Sequence, residues 1–204
     1  MGRGETQREQ IIIMFNWIFS CLYFFLPAYF VNMAPPFAKR SGAFKFLYRP
    51  IDKGKKFKGK PILGSHKTWK GIIAGLFVGI LMVFFQGWLY ENFLFIQKIS
   101  LIDYSKINLF WFGILISGGA LCGDILFAFL KRRLGKEPGA KWLPFDQINY
   151  VIGAAIFLTP YLWNISNINN FWFQLWTTLL TLTFILHIIF NRLGYLLKIH
   201  RAKW

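Results

Sequence analysis

The chain has 204 residues, 55% of them hydrophobic and 20% aromatic, with 24 Phe and 9 Trp. That composition excludes an ordinary soluble domain and places the chain among membrane proteins. Its net charge of +16 would suggest nucleic acid in a soluble protein. Here the basic residues lie between apolar runs, so anionic headgroups or a polyphosphate are the expected partners, and nucleic acid is not.

A membrane span needs about 20 mostly apolar residues. Five segments qualify, at residues 11–31, 71–90, 109–130, 148–163 and 171–190. The first is longer than a signal-peptide core, so it reads as a retained span. Met1-Gly2 with Thr6 fits a myristoylation pattern, which a chain with five spans does not need. Backbone groups in lipid must bond internally, and the alternation of barrel strands is absent, so the spans read as helices. The expected fold is an all-α integral membrane protein, one domain built as a bundle of about five transmembrane helices. In the second span Gly71, Gly75 and Gly79 recur every four residues, a pattern for close helix packing. Trp17, Trp69, Trp88, Trp111, Trp142 and Trp163 fall near span ends, as an aromatic belt would. Cys21 and Cys122 read as small core residues rather than a disulfide.

The first connection (32–70), the third (131–147) and the C-terminal tail hold every lysine and arginine except Arg3, Arg8, Lys98 and Lys106. With five spans these three segments share one side. The positive-inside rule makes that side cytosolic, with the N-terminus external and the C-terminus cytosolic in the cell membrane.

Glu5, Glu9, Glu91 and Asp103 fall on the external side as solvated groups. Asp124 is the sharpest chemical signal, about two turns inside the third span. A carboxylate at that depth needs a partner, and Lys131 and Arg132 follow seven and eight residues later on roughly the same face. Asp146 precedes the fourth span in Pro144-Phe145-Asp146-Gln147; it reads either as an N-cap or as a second carboxylate beside Asp124. Two carboxylates with nearby lysines and arginines suit a metal-bound polyphosphate, because Mg²⁺ takes one or two carboxylates plus phosphate oxygens. Arg133 and Lys141 extend the basic cluster. Gly64-Ser65-His66-Lys67-Thr68 opens the second span. A helix start there favours an anion, with Lys67 and Thr68 as added donors, although the spacing is not that of a Walker A loop. His187 and Asn191, four apart on the fifth span, read as polar helix–helix contacts.

Gly123-Asp124, Lys131-Arg132-Arg133-Leu134-Gly135, Pro138-Gly139 and Pro144-Phe145-Asp146-Gln147-Ile148 together resemble the signature of the CDP-archaeol synthase (CarS) family, which is related to phosphatidate cytidylyltransferases. Lys67-Thr68-Trp69-Lys70-Gly71 is similar to its second block, and the polar stretch from His187 to Asn191 with Lys203-Trp204 is similar to its ending. The resemblance runs from about Pro50 to the C-terminus. It implies a CTP-dependent cytidylyltransferase that converts a membrane lipid phosphate into a CDP-lipid and pyrophosphate, with Mg²⁺ as cofactor. Asp124, Asp146 and Asn149 would hold the metal. Lys67, Thr68, Lys131, Arg132, Arg133, Lys141 and Gln147 would hold phosphates, with His187 and Asn191 in support. The sequence departs from the family pattern at Phe127-Ala128, where the family has Lys-Ser, and at Asn149, where it has a carboxylate. The alternative is therefore a catalytically degenerate paralogue that binds lipid or a partner. A small transporter would need polar residues through several spans, and the first two show none.

Overall fold

Apolar length dictates the main elements. In the structure, a computed structural model that describes residues 3–42, 44–137, 140–163 and 169–196, five long helices form an antiparallel bundle. They are α1 (Arg3–Arg40), α2 (Trp69–Asn92), α4 (Leu109–Arg133), α5 (Phe145–Trp163) and α6 (Asn169–Leu196), with a short α3 (Leu94–Ile99) after α2. Four of them, α1, α2, α4 and α6, are long and apolar enough to cross a membrane. The shorter α5 completes the bundle, and Val151, Ala154, Leu158 and Leu162 sit fully inside it. Phe77, Leu81, Phe84 and Phe85 on α2 face outward, as lipid contact requires. Trp69, Trp88, Trp111 and Trp163 are exposed at helix ends, as the expected belt requires, whereas Trp17 is half-buried within α1, donating to Thr178 at 3.0 Å, and Trp142 is half-buried before α5.

Glycines set the helix spacing. A Cβ at Gly75 would meet Val31 and Leu121, and one at Gly79 would overlap Ser117 and Val31. The four-residue repeat therefore seats α2 against both α1 and α4. A second seam joins α4 to α5, where a Cβ at Gly153 would fall 2.1 Å from the Gly119 carbonyl oxygen. That backbone-to-backbone contact fixes the register of α5 against α4. The core between the helices is largely aromatic: Phe24, Phe25, Phe112 and Trp176 pack edge to face, and Phe25 stacks on Tyr150.

Three sequence expectations change. The first connection does not begin at residue 32, because α1 continues through Pro35 and Pro36 to Arg40. The rest of that connection is folded, where β1 (Lys56–Phe57) pairs antiparallel with β2 (Lys60–Pro61). Lys58 and Gly59 take φ of 51° and 76° at the turn, the conformation that matches hairpin twist. Cys21 is buried as expected, but Cys122 is exposed on the outer face of α4. Finally, α2 does carry a buried polar residue, Gln86, which donates to the Tyr23 carbonyl at 2.6 Å. Pro138, Gly139 and residues 197–204, including Lys203 and Trp204, lie outside the described residues.

Candidate functional site

The ends of α1 and α4 and the starts of α2 and α5 meet at one end of the bundle. Asp52 organises the loop that closes this end. Its carboxylate accepts from the backbone N–H groups of Gly54, Leu63 and Gly64 at 2.9–3.0 Å. Burial pushes its carboxyl up, but the three N–H donors outweigh that and leave it below the ordinary value. The loop is then tied to α2: Ile51 N–H donates to the Lys67 carbonyl at 2.9 Å, and Trp69 N–H donates to the Arg49 carbonyl at 3.2 Å. Thr68 caps α2, its hydroxyl accepting from Gly71 N–H at 3.2 Å. Lys70 is buried and reaches the Ser41 carbonyl at 2.7 Å, linking the start of α2 to the end of α1.

A cleft of about 240 Å³ lies here, walled by α1, α2, α4 and the loop, with Tyr150 of α5 at its edge. Asn32, His66, Lys67, Thr68 and Asp124 are among its polar lining, and Pro35, Ile72 and Leu121 are among its apolar lining. Lys67 Nζ sits 2.5 Å from Asp124 Oδ2. Asn149 Nδ2 approaches Asp124 Oδ1 at 3.4 Å from the other side. The carboxylate is thus held between a cation from the α2 loop and an amide from α5. The sequence suggested Lys131 or Arg132 as its ion partner; Lys67 takes that place, because the loop delivers it across the helix bundle.

Lys131 instead pairs with Asp146, with Nζ 2.8 and 2.6 Å from its two oxygens. Asp146 also accepts from Trp142 N–H at 2.8 Å. It is the second residue of α5, not its N-cap; its side chain folds back to close the preceding turn. This second cluster does not line the cleft, but Asn149 lies one turn along α5 from Asp146 and touches Asp124. Arg132 is buried and donates to the Lys136 carbonyl, closing the end of α4. Arg133 turns toward the hairpin and donates to the carbonyls of Phe57, Lys60 and Pro61. Exposed Lys141 lies on the loop between α4 and α5. His187 and Asn191 bond each other at 3.0 Å on α6. At the opposite end of the bundle, the Ser105 hydroxyl and Lys106 hold the Asp103 carboxyl down at about 2.

The donor set suits a hard cation. Asn149 Oδ1 and Gln147 Oε1 are buried without a hydrogen-bond partner among the described residues, both within one helical turn of Asp146, and Asn149 lies beside Asp124. Buried oxygens left unsatisfied are costly unless something binds them. Carboxylate and amide oxygens are the ligands Mg²⁺ takes. The departures from the family pattern also have a structural account. Phe127 stacks on Phe145 at 5.9 Å and packs against Trp142 at 6.0 Å, and Ala128 is buried.

Sequence reasoning missed the α4–α5 glycine seam that brings Asn149 to Asp124. Its signal was Gly119 and Gly123, spaced four apart directly before Asp124.

The family model described as CarS-like CDP-archaeol synthase matches residues 14–204. A CDP-archaeol synthase of Methanosarcina barkeri is 34% identical over 186 residues, covering 88% of this chain and 99% of that protein. One from Sulfurisphaera tokodaii is 32% identical over 199 residues, covering 94% and 99%. A solved structure of an intramembrane enzyme for archaeal membrane lipids biosynthesis matches with a TM-score of 0.61 and 26% identity, covering 83% of this chain and 91% of that one. The signature around Asp124 and Asp146, the multi-pass membrane bundle and these near full-length matches agree: the chain belongs to the CarS-like CDP-archaeol synthase family.

Proposed function

We propose that this chain transfers a cytidylyl group from CTP to a lipid phosphate in membrane lipid biosynthesis, and that the lipid is an isoprenoid ether of the archaeal kind. The single observation that carries the reading is Asp124, a carboxylate inside a transmembrane helix that lines a cleft between Lys67 and Asn149. The relatives' shared name as CDP-archaeol synthases supplies the nucleotide and the lipid class.

In the reaction an oxygen of the lipid phosphate attacks the α-phosphorus of CTP. A new P–O bond forms, the bond to the bridging oxygen breaks, and pyrophosphate leaves with its electron pair. A phosphate monoester is largely a dianion at neutral pH, so the step needs no general base. Catalysis then rests on positioning and on neutralising charge. Lys67 and the α2 start, capped by Thr68, face the cleft as phosphate ligands. Lys131, Arg132 and Lys141 add positive charge at the α4–α5 junction. Asp124 and Asn149 at the cleft, with Asp146 one turn away on α5, are the residues that would hold Mg²⁺, and Gln147 adds a phosphate ligand. When bound, the ion would neutralise phosphate charge and polarise the phosphorus centre. The cleft sits at the basic end of the bundle, which the positive-inside rule assigns to the cytosol, where CTP is present.

A second reading, a degenerate relative that binds without turnover, draws on Asn149 and Phe127 in place of polar family residues. Incubating purified protein with labelled CTP, Mg²⁺ and a panel of lipid phosphates tests both. The expected result is label in the lipid fraction, greatest with the isoprenoid ether phosphate, and none for Asp124→Asn. No label with any lipid, combined with no Mg²⁺-dependent CTP binding, would establish the degenerate reading instead.

A further inference from the structure

The hairpin in the α1–α2 connection plays no part in the chemistry above. Lys53, Lys55, Lys56, Lys58 and Lys60 are all exposed on it or beside it. Asp52, the acid within the same segment, is turned inward onto three backbone N–H groups and neutralises none of them. Among the described residues, the ion pairs engage Lys67, Lys106 and Lys131, and none of these five. Phe57, between the lysines, is about half exposed. Phe44 and Phe46, earlier in the same connection, are each 67% exposed and pack edge to face. The segment thus presents uncompensated positive charge interleaved with exposed aromatic rings.

It is also held at a defined height. Arg133, the last residue of α4, donates to three hairpin carbonyls. Its guanidinium lies 5.2 Å from the Phe57 ring and 5.1 Å from Phe129 on α4. Lys60 Nζ returns a bond to the Arg133 carbonyl at 3.4 Å. The end of α4 is where that span leaves the hydrocarbon, so the hairpin clamped to it lies at headgroup level. Aromatic rings prefer that level, and lysines there meet lipid phosphates.

We propose that this clamped hairpin is a binding surface for anionic lipid headgroups, with Phe57 seated among the upper acyl chains and Lys55, Lys56 and Lys58 on lipid phosphates. It gathers anionic lipid beside the Lys67–Asp124 cleft. The surface stands whether or not the cleft turns over CTP, because it rests on the hairpin alone.

The test uses full-length protein carrying Cys122→Ser and Lys53→Cys, labelled at position 53 with a fluorophore; Cys21 is buried. The protein is placed in nanodiscs of neutral lipid with a trace of headgroup-nitroxide lipid as quencher, the quencher being either anionic or neutral. Quenching by the anionic tracer is expected to exceed that by the neutral tracer, because the lysines enrich it beside a hairpin of fixed height. The Lys55→Gln, Lys56→Gln, Lys58→Gln variant should lose that excess, about fivefold in tracer enrichment for each lysine removed. Lys98→Gln, at the opposite end of the bundle, should leave the excess unchanged. Equal quenching by the two tracers, an excess that survives the triple substitution, or one abolished by free inorganic phosphate overturns the proposal.

Discussion

Lys67 Nζ and Asp124 Oδ2 meet at 2.5 Å across 57 positions of sequence, one from the loop before α2 and one from the middle of α4. Each group is about a quarter exposed on its side chain, at the wall of the cleft. The pair neutralises the carboxylate with the same lysine that would face a phosphate.

That double duty gives a prediction with two readouts. Lys67→Ala leaves Asp124 without its cation, so Mn²⁺ binding in the absence of nucleotide should strengthen, read by the EPR signal of free ion. CTP-dependent pyrophosphate release should fall by about a hundredfold or more, as expected when one preorganised charge is removed from a phosphoryl site. Asp124→Asn should lose both metal binding and turnover. Unchanged Mn²⁺ binding in Lys67→Ala would refute the shared use of this lysine.

Lys131 and Asp146 form the second pair, with the lysine side chain only 10% exposed and the carboxylate 33%. Lys131→Met leaves Asp146 with the Trp142 N–H as its remaining donor. A fully buried orphan charge would cost several kcal/mol; with a third of the carboxylate in solvent the expected loss is about 1–3 kcal/mol. Thermal melting in detergent of Lys131→Met, Asp146→Leu and the double variant forms the test. The double variant should melt above Lys131→Met, because the uncompensated charge is gone. Strict additivity of the two single changes would show that the pair is not coupled.

Much of the architecture was legible because membrane spans obey length and hydropathy alone. The glycine repeat of α2 and the isolated carboxylates Asp124 and Asp146 were also visible, since each breaks an apolar background. The pairing of lysines with those carboxylates was not. Asp124 has Lys131 near it on its own helix, and only the folded loop shows that Lys67 arrives instead. The first apolar run ends at Val31, yet α1 runs on through Pro35 and Pro36, and Pro35 packs on the bare face of Gly71. The hairpin was hidden because Lys58-Gly59 sits inside a run of lysines that reads as charge rather than as a turn.

The α4–α5 seam predicts a contrast between neighbouring glycines. A Cβ at Gly153 would lie 2.1 Å from the Gly119 oxygen and 2.6 Å from the Gly123 Cα, contacts with backbone that cannot rotate away. Gly153→Ala should therefore push α5 off α4, costing about 1–3 kcal/mol or more. It should also move Asn149 from Asp124 and lower CTP-dependent activity. Gly118, on the same helix as Gly119, has nothing within 4 Å of a Cβ, so Gly118→Ala should melt like the parent. Equal melting temperatures for the two variants would contradict the packing described.

Asp52 ties the loop to acidity. Its native carboxyl is held below the ordinary value, so the folded loop binds fewer protons than the unfolded one. The stabilisation is therefore fully present above the ordinary carboxylate pKa of about 4 and is lost as pH falls through the lower native value. Hydrogen exchange of the Leu63 and Gly64 amides, corrected for intrinsic rates, should show protection that declines below about pH 4. In Asp52→Asn that protection should already be weakened at neutral pH, by about 1–3 kcal/mol, because an amide offers one accepting oxygen where the carboxylate uses two. Lys67 is bonded to this loop through the Ile51 N–H, so the same substitution should raise the KM for CTP at neutral pH while leaving the α4–α5 cluster intact. A variant with parental protection and parental KM would show that the loop holds Lys67 without Asp52.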